Sequence, residues 1–145
     1  NTPSLLPIKE ILSHIPAEFE RVRVMRLKAG TKIRKHTDKV DKAIKNKDII
    51  RVHVPLKTGF DVSMHIWEGK EKKTYKLETG KYYYTDVTKP HAVDNNADFD
   101  RLHLVVDCYN NPKMSTLIDQ TFEYTENNRD TRFDPFKGTS IEGKD

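Results

Sequence analysis

Ile50-Arg51-Val52-His53-Val54-Pro55-Leu56 alternates without interruption: Ile50, Val52, Val54 and Leu56 lie on one side of an extended chain, Arg51 and His53 on the other. Successive side chains of an extended backbone point to opposite faces, so this pattern predicts a strand with one face against a core. Arg101-Leu102-His103-Leu104-Val105-Val106-Asp107-Cys108 repeats it, with Leu102, Leu104 and Val106 on one face and Arg101 and His103 on the other. Each strand therefore needs a covering layer on its apolar side and carries an arginine and a histidine on its second side. In a small barrel one face of every strand looks inward. A guanidinium buried alone is strongly disfavoured. Arg51 and Arg101 then require protein carboxylates such as Asp61 or Asp107, an acidic ligand gripped bidentately, or exposure to water.

Outward from these strands the β pattern continues. Arg21 to Leu27 alternates Val22, Val24 and Arg26 with Arg23, Met25 and Leu27, and Ala29-Gly30 supplies the turn that follows. Phe60 to Trp67 alternates again, with Phe60, Val62, Met64 and Ile66 opposite Asp61, Ser63, His65 and Trp67. Glu68-Gly69-Lys70 predicts a hairpin into Thr74–Leu77, and Glu78-Thr79-Gly80 a turn into Lys81–Thr85. After Pro90-His91, the polar stretch Asn95-Asn96-Ala97-Asp98 reads as a loop before the last strand. Ile8, Ile11, Leu12 and Ile15 fall at helical spacing between Pro7 and Pro16, which predicts one short amphipathic helix. Lys39 to Asp48 reads as a charged surface segment or short exposed helix, placed to act as a lid. A second helix is expected over Leu117–Tyr124, followed by a polar arm from Asn127 whose last residues, Gly138 to Asp145, are expected to be disordered. The fold class is mainly β, a sandwich or small barrel of the jelly-roll or cupin kind. Its strands occupy residues 21–109, a short helix precedes them, and residues 110–145 form a C-terminal helix and flexible tail.

The 145 residues suit a single domain, able to bury a core without disulfides. No apolar run approaches the roughly 20 residues of a membrane span, and no secretory leader is evident. The lone Cys108 has no cysteine partner, so a reducing, cytoplasmic location is expected. A net charge of +4 raises the question of nucleic acid. The lysines are interleaved with acids, as in Asp38-Lys39-Val40-Asp41-Lys42 and Glu68-Gly69-Lys70-Glu71-Lys72-Lys73, which describes a solvated face and not a basic stripe. The modest positive field suits small anionic substrates.

His36-Thr37-Asp38 places a histidine and a carboxylate on the same side of an extended chain, where both can grip one metal ion. Alone, the pair reads equally as two solvated residues in a lysine-rich loop. With His91 as a second imidazole it completes the two-histidine, one-carboxylate set of non-haem Fe(II) oxygenases, and Arg101 is available for an acidic co-substrate.

Taken together, Arg23-Val24-Met25-Arg26-Leu27, Gly30, His36-Thr37-Asp38, Arg51-Val52-His53-Val54-Pro55-Leu56, Leu77 with Gly80, His91-Ala92-Val93-Asp94-Asn95 and Arg101 to Asp107 resemble the aspartyl/asparaginyl β-hydroxylase family of 2-oxoglutarate-dependent oxygenases. The resemblance covers residues 21 to 109 and includes the order and spacing of the motifs. It implies a double-stranded β-helix and an Fe(II)- and 2-oxoglutarate-dependent dioxygenase. Such an enzyme uses O2 to hydroxylate an amino acid or a peptide side chain, releasing succinate and CO2. By the resemblance His36, Asp38 and His91 bind the metal, Arg101 holds the distal carboxylate of 2-oxoglutarate, and Arg51 and His53 line the same pocket. Some relatives use two histidines only, whereas bacterial amino-acid hydroxylases keep His-x-Asp, and this sequence sides with the latter. The competing reading is a cupin-like module that holds a metal or ligand without turnover. His65 and His103 share strand faces with Asp61 and Arg101 and are secondary candidates, while His14 is expected at the surface.

Overall fold

The computed structural model describes residues 7–37, 42–84 and 89–119. Eight strands follow the helix α1 (Ile8–Ser13): β1 (Phe19–Leu27), β2 (Lys32–His36), β3 (Ile49–Lys57), β4 (Val62–Glu68), β5 (Glu71–Tyr75), β6 (Tyr83–Tyr84), β7 (His91–Asn95) and β8 (Arg101–Tyr109). A short helix, α2 (Lys42–Lys45), lies between β2 and β3, and α3 (Pro112–Asp119) follows β8. The strands form two antiparallel four-stranded sheets, ordered β1-β8-β3-β6 and β2-β7-β4-β5, which is the cupin type of jelly roll expected from the alternation. Gly30 takes the chain from the first sheet to the second in a left-handed backbone conformation, φ +72°, that a side chain would strain.

The covering layer demanded by β3 and β8 is helical. Val52, Val54, Leu104, Val106 and Cys108 pack with Ile11 and Ile15 from the α1 region, Tyr82, and Met114 of α3. An isolated helix as short as α1 would not persist, so burial of Ile11 together with the hydrogen bond from Tyr82 Oη to the Ile11 carbonyl at 2.9 Å holds it in place. With the apolar faces turned to the helices, the opposite parity of β3 and β8 faces the second sheet: Arg51 and His53, and Arg101, His103 and Asp107. The second sheet answers with an apolar wall of Val62, Met64 and Val93, which joins Leu27 and Ala97. The barrel lumen thus has one charged wall and one apolar wall.

Five elements differ from the sequence reading. Lys32–His36 is a strand, although only Ile33 among its residues is a large apolar one; an exposed edge strand shows no alternation to read, and its pairing with β7 defines it. His91–Asn95, to which the alternation assigns no strand and whose last residue is expected in a loop, is a strand held between β2 and β4. Glu71–Tyr75 pairs in the hairpin, displaced from the expected Thr74–Leu77, and only Tyr83–Tyr84 of the expected Lys81–Thr85 pairs with β3. The C-terminal helix begins at Pro112, before the expected Leu117. Asn111 caps it, its Oδ1 accepting from Met114 N at 2.9 Å, and proline at the first helical position loses nothing by lacking an N–H. Within the expected surface segment Lys39–Asp48, Lys42–Lys45 forms α2, while Asp38, the rest of the Leu117–Tyr124 helix and the arm beyond it lie outside the described residues. No helix among the described residues is long and apolar enough to cross a membrane.

Candidate metal and anion site

His36 is the last residue of β2 and His91 the first of β7, and the two are direct partners in the antiparallel ladder. Their rings lie 4.4 Å apart between centroids, tilted by 53°. Each Nδ1 lies against the carbonyl two residues earlier, His36 to Arg34 O at 2.6 Å and His91 to Lys89 O at 2.7 Å. A carbonyl oxygen only accepts, so both Nδ1 atoms carry the proton, and in the neutral rings the lone pair belongs to Nε2. Committing one ring nitrogen to a backbone carbonyl is how proteins fix the tautomer and direction of metal-binding histidines. The two imidazoles therefore fit one metal ion, held through their Nε2 atoms. Asp38, the expected third ligand, lies outside the described residues, and no group of three ligating side chains is assembled among those described.

The charged wall lies deeper. Arg51 faces Asp107 across the β3–β8 ladder and donates to both of its oxygens, Nε to Oδ1 at 2.7 Å and a terminal nitrogen to Oδ2 at 3.1 Å. Arg23 approaches the same carboxylate at 3.8 Å. Asp107, one of the partners considered from sequence, thus serves two arginines while its side chain is only 4% exposed. Arg101, at the other end of β8, is treated differently. It is 6% exposed, its Nε is buried without a hydrogen-bond partner, and no carboxylate among the described residues pairs with it. Burial lowers its pKa to about 10, which leaves it a cation at neutral pH. Among the described residues Asp107 serves Arg51 and Arg23, and the orphaned Nε of Arg101 fits an anionic group from outside the protein.

His53 and His103 form a second imidazole pair next to this wall, Nδ1 to Nδ1 at 3.3 Å, with rings in edge contact. One donates and the other accepts, an arrangement unlike the His36–His91 pair. Burial, Arg101 and His53 together push the His103 pKa well below its usual value, so the ring is neutral. His65 faces away from the lumen, bonded to Thr74 Oγ1 and Asp94 Oδ2, each at 2.9 Å, and takes no part in the site. His14 caps the end of α1.

Asn95 is a positioning residue that the motif pattern does not reveal. Fully buried, it donates from Nδ2 to Leu27 O and Phe99 O at 3.0 Å and accepts at Oδ1 from Ala97 N. It ties the end of β1 to the loop that leads into Arg101. Within Asn95-Asn96-Ala97-Asp98 it is indistinguishable from an ordinary loop asparagine; its alternation with Val93 was the available signal.

Among solved structures the chain is similar to the non-heme monooxygenase ThoJ in its nickel complex, with a TM-score of 0.55 and 16% identity, over 73% of this chain and 55% of that one. The chain thus spans about half the length of that monooxygenase. A cupin domain from Bordetella pertussis aligns over 66% of this chain and 88% of its own at 21% identity and a TM-score of 0.43. The Drosophila melanogaster CENP-C cupin domain aligns over 61% and 56% at 15% identity and a TM-score of 0.45. No curated protein sequence matches. The family model for aspartyl/asparaginyl β-hydroxylase matches residues 3–111, and the chain belongs to that family.

Proposed function

We propose that the protein is an Fe(II)- and 2-oxoglutarate-dependent dioxygenase that hydroxylates an amino acid or a peptide side chain and releases succinate and CO2. The observation that carries this reading is the buried Arg101, without a carboxylate partner among the described residues, in the same barrel as two histidines whose Nδ1 atoms are already committed. His36 and His91 hold the metal through Nε2, and Asp38 supplies the carboxylate that offsets one of its charges. Arg101 anchors the distal carboxylate of the 2-oxo acid, its buried guanidinium supplying the counter-charge. The Arg51–Asp107 pair and His53 form the wall beside it and hold the pocket's shape. The apolar wall excludes water and leaves the C–H bond of a small substrate facing the metal. When bound, the metal activates dioxygen, and oxidative decarboxylation of the 2-oxo acid supplies the electrons.

The reading is tested by adding Fe(II) and 2-oxoglutarate to the protein without oxygen. A chelated complex gives a visible charge-transfer band, and its absence in the wild type overturns the assignment. With air admitted, a screen of free amino acids and short peptides should find one that stimulates succinate formation. Binding of both metal and 2-oxoglutarate without succinate under any condition would identify a cupin-type binding module instead.

A further inference from the structure

The outer face of the second sheet is the side turned away from the lumen. On β4 it carries Trp67, because Met64 and Ile66 point inward. Trp67 touches both chain segments that hold the metal histidines. Its backbone N–H donates to Pro90 O at 2.9 Å, next to His91. The Lys35 ammonium lies over its indole ring, 4.3 Å from the centroid, next to His36. Between β4 and β2 runs β7, and the small, buried side chain of Ala92 on its outer face lets the lysine stem cross. The β2–β7 ladder benefits from such a brace, since its register shifts between Ile33 and His36, immediately before the histidine pair.

The same two segments supply the carbonyls that orient the imidazoles. Arg34 O, one residue before Lys35, accepts from His36 Nδ1, and Lys89 O, one residue before Pro90, accepts from His91 Nδ1. We propose that Trp67 is a positioning residue for the metal pair, its amide fixing the segment of Lys89 and Pro90 and its ring, through Lys35, fixing that of Arg34 and His36. The proposal rests on the reading of His36 and His91 as ligands of one metal ion. Trp67 faces away from the lumen, so it acts through these carbonyls and not by contact with metal or substrate. A second tie joins the same strand end to the same segment, Lys89 Nζ to Glu68 Oε1 at 2.5 Å. Charge gives the proposal a sign. An ammonium beside His36 repels a metal cation, so removing a lysine with no other role would strengthen metal binding. Removing a lysine that positions His36 through Trp67 weakens it.

The test is a titration of the full 145-residue chain with Co(II) alone, whose visible d–d bands report histidine coordination. Wild type should bind it, and His91→Ala should lose it. Lys35→Met should weaken Co(II) binding about threefold to fivefold, the loss of an exposed cation–π contact. Trp67→Ala should weaken it about tenfold. Lys35→Arg and Trp67→Phe each keep a cation over a ring and should keep wild-type affinity. The double variant Lys35→Met/Trp67→Ala should bind no more weakly than Trp67→Ala, as two residues acting through one contact require. Lys35 is exposed, so Lys35→Met stays folded, with the wild-type urea midpoint, even where Trp67→Ala does not. A Lys35→Met variant that binds Co(II) as tightly as wild type or more tightly, while His91→Ala loses the metal, overturns the proposal alone. So does a Lys35→Arg variant as weak as Lys35→Met. A wild type that does not bind Co(II), or a His91→Ala variant that binds it unchanged, overturns the reading of the pair as ligands and the proposal with it.

Discussion

Strand β8 carries a charged residue near each end of its lumen face, Asp107 and Arg101, and the protein treats them in opposite ways. Asp107 has two arginine neighbours, one of them bidentate, so its charge is neutralised where it sits. Arg101 is buried as deeply and keeps a donor unsatisfied. A buried ion pair with its hydrogen bonds made belongs to the scaffold; a buried cation without a partner costs stability and persists where a ligand supplies the missing charge. One strand thus holds both a finished electrostatic unit and an unfinished one. The finished one fixes the wall, and the unfinished one is the candidate anion site.

The first way to break this comparison is to disrupt the finished unit. Arg51→Ala leaves Asp107 buried with only the distant contact to Arg23, and should lower unfolding stability by about 3–5 kcal/mol in urea titration. Stability equal to wild type would show that the pair is not structural. Arg101→Leu should do the reverse. Removing an orphaned donor and a buried charge leaves the unliganded protein as stable as wild type or more so. The same change should weaken 2-oxoglutarate binding by about 2–5 kcal/mol in an anaerobic titration with Fe(II), because the bound carboxylate loses its counter-charge. If Arg101→Leu destabilised the unliganded protein as much as Arg51→Ala, both arginines would be scaffold and the anion site would have to lie elsewhere.

The alternation in Ile50–Leu56 and Arg101–Cys108 makes the two core strands, and the parity of their arginines and histidines, legible in the sequence itself. That parity tells which residues share a wall, because a strand's faces are fixed by its period of two. It does not tell Arg51 from Arg101. The two share residue type, an Arg-x-His-x pattern and a face, and what separates them is the residue across the ladder: Asp107 opposite Arg51, Leu27 opposite Arg101. Register between strands distant in sequence is a tertiary property. β2 and β7 escape a sequence reading for a related cause, since Lys32–His36 is an exposed edge and His91–Asn95 is short and mixed, and each is a strand because the other pairs with it. The candidate histidines His36 and His91, by contrast, are picked out by motif spacing and lie together in the fold, although their locked Nδ1 atoms are not legible in sequence.

The smallest effect sharpens the comparison through His103, which lies beside Arg101 and against His53. Burial first, then the Arg101 charge and His53, holds its folded pKa well below the ordinary 6.5. Above about pH 6.5 the ring is neutral in both folded and unfolded chains, so its contribution to stability is constant there. As pH falls below that value the unfolded chain takes up a proton that the folded one refuses. Stability should then decline by up to about 1.4 kcal/mol per pH unit until the folded pKa is reached. Urea titrations between about pH 7.5 and 5 read this slope directly. His103→Gln, which keeps a polar group for His53, should flatten it. Arg101→Leu removes one of the charges that depress the His103 pKa, so the folded ring protonates at higher pH and the decline ends sooner. A slope unchanged in His103→Gln would assign the acid sensitivity to other groups. A slope lost there but indifferent to Arg101→Leu would mean that Arg101 does not act on this ring, and that the two ends of β8 differ less than their partners suggest.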